Sequence, residues 1–325
     1  MKKRLFIVLV CQMLTTVGAL AVTRTAILRI HNGTGITYDT EQLAKAVNEA
    51  ENGDTLCLNE GTYNLSDTLV IDKAIALMGS GQSTHIVGNI NIAIDGEPTL
   101  TSRMLDAIRI TGSVYINKKV TGLSMRKVRV SQNLRWRAKV SDVLLDRCDI
   151  YNHRMDTCLV SANFVNCRFY RNYIIPNPNC EVTFLNCSIY ETSHTTEGNY
   201  IGGQHVATYI NTILTVFPSG YAYALSHSIL NNVLSTANIS GENMVVHDCY
   251  YDSSIQSASM DNYTSKTKDE LIAAGYLGND GTVVGVEGGN TPYTLVPSSI
   301  IVTESLLKVD NANKKLNVTL KVTSN

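Results

Sequence analysis

Proline is scarce in this chain, with 6 in 325 residues, and tryptophan (1) and phenylalanine (5) are scarcer still for its length. So little proline excludes a collagen-like or low-complexity chain, and a charged fraction of only 17% excludes a coiled coil or long-helix protein. Neither sign of charge dominates: 27 Lys+Arg stand against 28 Asp+Glu, a formal net charge of −1, which excludes a general binder of nucleic acid or of membrane surfaces. The metal strings C-x-x-C and H-E-x-x-H are absent, and the histidines at 31, 85, 153, 194, 205, 227 and 247 fall at no ligand spacing. What is present is 44% hydrophobic residues, 16 tyrosines and a mean hydropathy near zero, the composition of a β-rich globular protein.

The first residues are an address rather than part of the fold. Lys2, Lys3 and Arg4 precede an apolar run from Leu5, and Ala19-Leu20-Ala21 offers a small-residue cleavage site, the pattern of a secretory signal peptide over 1–21. The run is too short and too soon interrupted to span a membrane comfortably, and nothing later resembles a span. An extracytoplasmic destination is therefore expected: secreted, periplasmic or on the outer cell surface. Removing three cations takes the formal charge of 22–325 to −4. A lipid anchor at Cys11 is disfavoured because Val10 stands where a small residue is wanted. Cys11 leaves with the signal, so seven cysteines remain; the odd number leaves at least one thiol free in a monomer, and a chain this long needs no disulfide framework.

A repeat runs through the middle. Cys148-Asp149-Ile150-Tyr151, Cys167-Arg168-Phe169-Tyr170 and Cys187-Ser188-Ile189-Tyr190 recur at spacings of 19 and 20 residues. Each follows a short stretch that starts apolar and ends polar: Leu144-Leu145-Asp146, Phe164-Val165-Asn166 and Phe184-Leu185-Asn186. Weaker echoes follow at Tyr209-Ile210-Asn211, Ala224-Leu225-Ser226 and Val245-Val246-His247. The leucine spacing of a leucine-rich repeat is missing. Residues two apart in a strand share a face, so stacking the copies places like over like and closes a continuous apolar seam, the logic of a parallel β-solenoid. Asp39-Thr40-Glu41-Gln42 opens a short amphipathic helix, about 40–52, with Leu43, Ala46, Val47 and Ala50 on one face and Gly53 as its stop; such a helix can cover the open end of a solenoid.

Ala46-Val47-Asn48-Glu49-Ala50-Glu51-Asn52-Gly53-Asp54 running on to Gly61-Thr62-Tyr63, with Leu69 to Lys73 and Met78-Gly79-Ser80-Gly81, resembles the opening turns of the pectin-lyase-like, right-handed parallel β-helix superfamily. Gly278 to Tyr293, and a last strand Lys315 to Val322, resemble the closing segment of exported β-helix repeat proteins of Bacteroides-type bacteria. The resemblance implies an all-β, single-stranded right-handed parallel β-helix over 22–325, with closing strands at about 298–323. It is silent on activity, since this fold carries lyases, hydrolases, esterases and non-enzymatic surface proteins. The Gly-His-Gly and Arg-Ile-Lys strings of polygalacturonase-like hydrolases are absent; Gly61-Thr62-Tyr63 is shared with pectin methylesterases, but their other segments are missing. Polysaccharide lyases use a Lys or Arg base near acidic groups that hold calcium, a pattern too loose to exclude. Gly79-Ser80-Gly81-Gln82-Ser83-Thr84 imitates a dinucleotide fingerprint, but Thr84 replaces the last glycine and no βαβ context surrounds it.

Chemistry concentrates in one stretch. Lys118 to Arg154 holds ten cations against Asp142, Asp146 and Asp149. Within it Arg135, Arg137 and Lys139 alternate with Leu134, Trp136, Ala138 and Val140, which predicts a half-buried strand with Trp136 inside and three cations outside. Lys127 and Arg129 join them as candidate glycan contacts, through charge-assisted hydrogen bonds to carboxylates or sulfates; the plain alternative is a solvated face. Tyr151, Tyr170 and Tyr190 recur in register, either as sugar platforms or as a structural stack. Cys148, Cys167 and Cys187 read as buried small hydrophobes. The expectation is an exported β-helix protein that binds glycan or contributes to the cell envelope, with an acidic polysaccharide as partner, neither a nucleic-acid partner nor a membrane span, no cofactor and no metal site. The alternative is a polysaccharide lyase or hydrolase acting on an anionic glycan, with calcium if a lyase; no catalytic residue can be assigned. Intact-mass analysis of exported protein is expected to give Val22 as the first residue, and a lipid-modified Cys11 would overturn the cleavage site.

Overall fold

The spacing of the repeat is the length of one coil. The computed structural model describes residues 26–100, 103–155, 158–174, 180–193, 206–216, 228–236, 239, 244–255, 264–294, 300–310 and 315–324, so the signal segment and the echo at 224–226 lie outside the described residues. The strands form a mostly parallel β-solenoid of about eight turns. Leu105, Met125, Leu145, Phe164, Phe184, Tyr209, Leu230 and Val246 pair coil to coil as one inward column. Ile110, Val130, Ile150, Phe169, Ile189 and Leu214 form a second. All but Val246 are buried, and each buried Phe or Leu contributes about 1.5–3 kcal/mol. Trp136, Leu134 and Val140 point inward, as the alternation requires.

Between the two columns each coil turns a sharp corner. Lys127, Arg147, Asn166, Asn186, Asn211, Asn232 and Asp248 occupy that corner with φ between 47° and 54°, in the left-handed region. From Lys127 to Asn232 each donates its backbone N–H to the carbonyl closing the preceding strand of the next coil, at 2.9–3.0 Å. Asn and Asp tolerate this conformation better than other non-glycine residues, so four asparagines and an aspartate are the favourable choices here.

The next residue points inward, and here the cysteines stack. Cys148, Cys167 and Cys187 are fully buried and free, in one column with Val128, Thr212 and Val233. They are more than small hydrophobes. Cys167 Sγ lies 3.3 Å from the carbonyls of both Leu145 and Val165, Cys187 Sγ repeats the contact to Phe164 and Leu185, and Thr212 Oγ1 makes it to Phe184 and Ile210. A thiol or hydroxyl at this position therefore serves the backbone carbonyls crowded at the corner. Burial pushes the thiols of Cys148 and Cys167 well above their ordinary range, so they stay protonated.

The N-terminal end is closed by antiparallel pairing and a helix. Ala26–His31 pairs with Thr34–Asp39 and with Thr55–Leu58. The turn Thr40–Gln42 leads into the helix Leu43–Glu49, and Leu43, Ala46, Val47 and Ala50 are buried. The helix ends at Glu49, earlier than expected, because Ala50 is extended and Gly53 turns the chain at φ 91°. A buried polar anchor fixes this end: Asp54 accepts from Arg29 Nε at 2.6 Å and lies 2.7 Å from His31 Nδ1. Separately, Ile300–Asp310 and Lys315–Ser324 pair antiparallel as a hairpin within a unit of its own, Thr294–Asn325.

One polar group sits deep in the aromatic core. His153 is fully buried; Trp136 Nε1 donates to its Nε2 at 3.0 Å, which leaves the proton on Nδ1 to be donated to Asn172 Oδ1 at 2.8 Å. The ring lies edge-on to Phe164. Burial lowers its pKa to about 4 from the ordinary 6.5, despite the hydrogen bond to Asn172.

Two outcomes follow from this packing. Cys167→Asp buries an unpartnered charge and is expected to lower stability by several kcal/mol, whereas Cys167→Thr, which copies Thr212, should cost about 1 kcal/mol or less. Thermal melts that leave the Asp variant unchanged would show the strand parity to be wrong. Because the folded pKa of His153 is depressed, its contribution is fully present above pH 6.5 and declines as the unfolded chain takes up a proton between pH 6.5 and about 4. The decline amounts to about 3 kcal/mol and levels off at lower pH. Melting curves of the parent against His153→Gln should diverge in that window, and an imidazole that titrates near 6.5 by NMR would defeat the assignment.

Candidate functional site

Stacked coils bring like residues together about 4.8 Å apart, so outward charges must find partners in neighbouring coils or remain uncompensated. The basic stretch divides on this basis. Arg126 is bidentate to Asp106 at 2.9 and 2.6 Å, and Arg147 is bidentate to Asp146 at the same two distances. Lys127 is buried at the left-handed corner between them; burial first, then the charges of Arg147 and Arg126, lowers its proton affinity. Arg129 is half-buried, with Nε 3.5 Å from Asp149. Lys118 and Lys119 pair with Asp95 and Glu97 of the preceding coil at 2.8 and 2.7 Å.

Arg135, Arg137 and Lys139 are different: no ion pair joins any of them to a carboxylate among the described residues. They do not share one strand. The strand Arg129–Trp136 ends before Arg137, and Lys139 stands in the turn leading to Val140–Ser141. Arg135 is half-buried and lies in register between Tyr115 and Arg154. Arg137 is exposed and rests over the Tyr115 ring at 4.2 Å, and Lys139 is exposed as well. The three cations therefore reach solvent around one corner of the coil.

The tyrosines form a ladder. Tyr151 and Tyr170 stack at 4.9 Å and 8°, Tyr170 and Tyr190 at 4.7 Å and 26°, and all three are half-buried. Both faces of Tyr170 are covered by its neighbours. The ladder consequently presents ring edges and hydroxyls to a ligand, and leaves a flat face only at either end.

Sequence reasoning took Gly278 to Tyr293 as a closing segment and missed that it packs against the side of the later coils. Residues 264–293 lie along the outside of the later coils. The helix Lys268–Ala273 carries a legible signal, the capping box Thr267 with Glu270, whose Thr267 N–H donates to Glu270 at 2.7 Å. Leu271, Val283 and Val284 pack on Ile213, Leu234 and Ile255. Asn166 Nδ2 donates to the carbonyls of Val286 and Gly288 at 3.1 and 2.8 Å, and Asn211 and Asn279 bond to each other twice. Gly289 holds φ 72°, and a Cβ there would press on the Asn186 amide, so glycine suits this approach.

At the end of this strap Tyr293 meets the solenoid. Arg168, buried, donates through Nη2 to Asp149 at 2.7 Å and to the Tyr293 hydroxyl at 3.0 Å, and its guanidinium lies 4.2 Å over the Tyr293 ring. Burial and Asp149 push the Tyr293 phenol well above its ordinary range. Arg168 escaped the sequence reading because it lies beyond the dense run of cations that ends at Arg154. Beneath the strap a cavity of about 360 Å³ opens beside Arg168, Ser188 and Ile213.

Asp106, Asp146 and Asp149 each face a guanidinium, and among the described residues no three His, Cys, Asp or Glu side chains gather in a metal-ligating group. No helix among them is long and apolar enough to cross a membrane. No protein-family model and no curated protein matches the chain.

Proposed function

We propose that the chain is an exported member of the pectin-lyase-like β-helix superfamily, of the Bacteroides type, that binds an acidic polysaccharide at the cell envelope or outside it. The observation that carries the reading is the contrast between Arg135, Arg137 and Lys139, which have no carboxylate partner among the described residues, and the paired or buried cations around them. Uncompensated cations at one edge of a linear solenoid attract a linear polyanion, and guanidiniums hold its carboxylates or sulfates in charge-assisted bonds. The hydroxyl edges of Tyr151, Tyr170 and Tyr190 add polar contacts along the same axis. Lys127 and Arg129 act behind this surface, through the field they contribute.

A second reading, a lyase acting on an anionic polysaccharide, rests on Lys127. Its lowered proton affinity, in a cluster that includes Asp106 and Asp146, is the property a proton-abstracting base needs. Asparagine fills the same corner in four later coils, so Lys127→Asn removes the amine without disturbing the turn.

Replacing Arg135, Arg137 and Lys139 together with Ser is expected to abolish retention on an immobilised acidic polysaccharide. Arg137 and Lys139 are exposed, and their loss, with that of the exposed cation–π contact, should cost less than about 1 kcal/mol; half-buried Arg135 adds the loss of its stem packing. Retention by the parent should weaken with salt, as the field is screened within about 8 Å at physiological ionic strength. Unaltered retention in the triple variant would remove this corner from consideration. Unsaturated sugar product from the parent, lost in Lys127→Asn, would establish the lyase reading instead.

A further inference from the structure

The tyrosine ladder stops at a place that a ring could fill. Tyr151, Tyr170 and Tyr190 stack coil on coil, and Ile150, which precedes Tyr151, pairs in register with Val130. The next rung therefore falls at Ser131, one coil earlier, where a hydroxymethyl group stands in place of a ring. Tyr170 covers one face of Tyr151, and among the described residues no ring or cation stacks on the other. A row of guanidiniums runs beside this gap. Arg109 and Arg129 pair in register, and the row continues to Asp149 and Arg168. Asp149 is the one carboxylate among these four and is shared by Arg129 and Arg168, so three cations against one anion leave the row an excess of two positive charges. Asp106 and Asp146, on the strands before the corner, are held by Arg126 and Arg147, and Lys127 between them adds a further cation. Arg109 makes no hydrogen bond or ion pair with any described residue. Its Nε is enclosed without a partner, so the terminal nitrogens of this half-buried side chain are the donors it offers.

We infer that the gap over Ser131 is a subsite for one acidic sugar residue, its ring on the open face of Tyr151 and its carboxylate or sulfate on Arg109 and Arg129. The ladder sets its rungs 4.7–4.9 Å apart, one ring per coil, so a pyranose in the vacant position meets the Tyr151 face with its C–H groups. Guanidiniums in register on adjacent coils stand about 4.8 Å apart, close enough for each to hold one oxygen of the same acid group. The contact of Arg129 Nε to Asp149 steadies its stem, so less ordering is required when an anion arrives. The inference deepens the reading of an acidic polysaccharide and rests on that reading for its choice of a sugar. The strand Arg129–Trp136 also carries Arg135, which puts the subsite and the solvent-facing corner on the same coil.

The test uses the full exported chain and four probes followed by ligand-observed NMR and calorimetry: glucuronate, glucose 6-sulfate, glucose and benzoate. At least one acidic sugar should bind about tenfold more tightly than glucose and than benzoate, and the preference between the two identifies the acid. Ser131→Tyr supplies the missing rung, and should abolish sugar binding without lowering the melting temperature. Arg109→Gln should weaken the acidic sugar about tenfold and leave glucose unaffected. Burial and the Arg109 charge hold the His85 imidazole below its ordinary value, so an acid group seated on Arg109 should raise the His85 titration followed by NMR, whereas glucose should leave it in place. The Arg135, Arg137 and Lys139 triple variant should bind the acidic sugar as the parent does. Glucose or benzoate binding as tightly as the acidic sugars would overturn the proposal, as would acidic-sugar binding that survives Ser131→Tyr or a His85 titration unmoved at saturation. Polymer retention by the parent without acidic-sugar binding would overturn this subsite and leave the polymer reading standing; acidic-sugar binding without polymer retention would do the reverse.

Discussion

Every other feature of this protein depends on the hydrogen-bonded register that stacks one coil on the next. The left-handed corner is where that register is set. Lys127, Arg147 and the asparagines beyond them each aim a backbone N–H at the next coil, and the ladder is continuous only while all of them hold φ near 50°. The turn also crowds carbonyl oxygens at the end of the preceding strand. Cys148, Cys167, Cys187 and Thr212 answer those carbonyls from inside, so the cysteine column belongs to the same device as the corner. Burial then silences the thiols of Cys148 and Cys167, whose raised proton affinity keeps them protonated and unreactive.

Register stacking has an electrostatic cost, since it sets like beside like. Arg109 pairs in register with Arg129, and Arg135 with Arg154. The chain relieves part of this by interleaving carboxylates. Asp149 stands between Arg129 and Arg168, and Asp106 and Asp146 flank Arg126 in one row. Where a carboxylate is interleaved, the cations become structural and their side chains are withdrawn from solvent. Around Arg135, Arg137 and Lys139 none is found among the described residues, and Arg137 and Lys139 stay exposed while Arg135 is half-buried. The same rule governs the tyrosines: stacking satisfies their faces against one another, so a ladder that looks like a row of sugar platforms in the sequence becomes a row of hydroxyl edges.

The fold was legible because it rests on periodicity. The 19- and 20-residue spacing, the inward parity of the cysteines and the apolar positions of Leu43, Ala46, Val47 and Ala50 all describe neighbours that sequence order alone determines. The site was less legible, for a physical reason: pairing across coils depends on which residues lie about twenty positions away, and a run of alternating residues does not say where a strand stops. Arg135, Arg137 and Lys139 read as one strand, yet the strand ends at Trp136. Lys127 read as an outward cation, yet the corner conformation turns it under its neighbours. The strap was further out of reach. Its capping box at Thr267 could be found, but its landing place on Asn166 and Asn211 joins residues 68 to 122 positions apart.

The corner column also decides which face the strap covers. From Ala107 through Arg147 the left-handed positions carry a methyl group or a cation, and from Asn166 to Asn232 they carry amides. A backbone amide can be satisfied by asparagine, which both donates and accepts, but a cation offers no acceptor to a strap N–H. Asn211 shows the difference directly: its Oδ1 accepts from the Asn279 N–H while its Nδ2 donates to the Asn279 side chain. The strap therefore lies over the asparagine rungs and reaches its end against Arg168, one coil beyond the last cationic corner at Arg147. The residues that let each coil turn thus also partition the solenoid, leaving a cationic flank over the earlier coils and a covered, cavity-bearing face over the later ones.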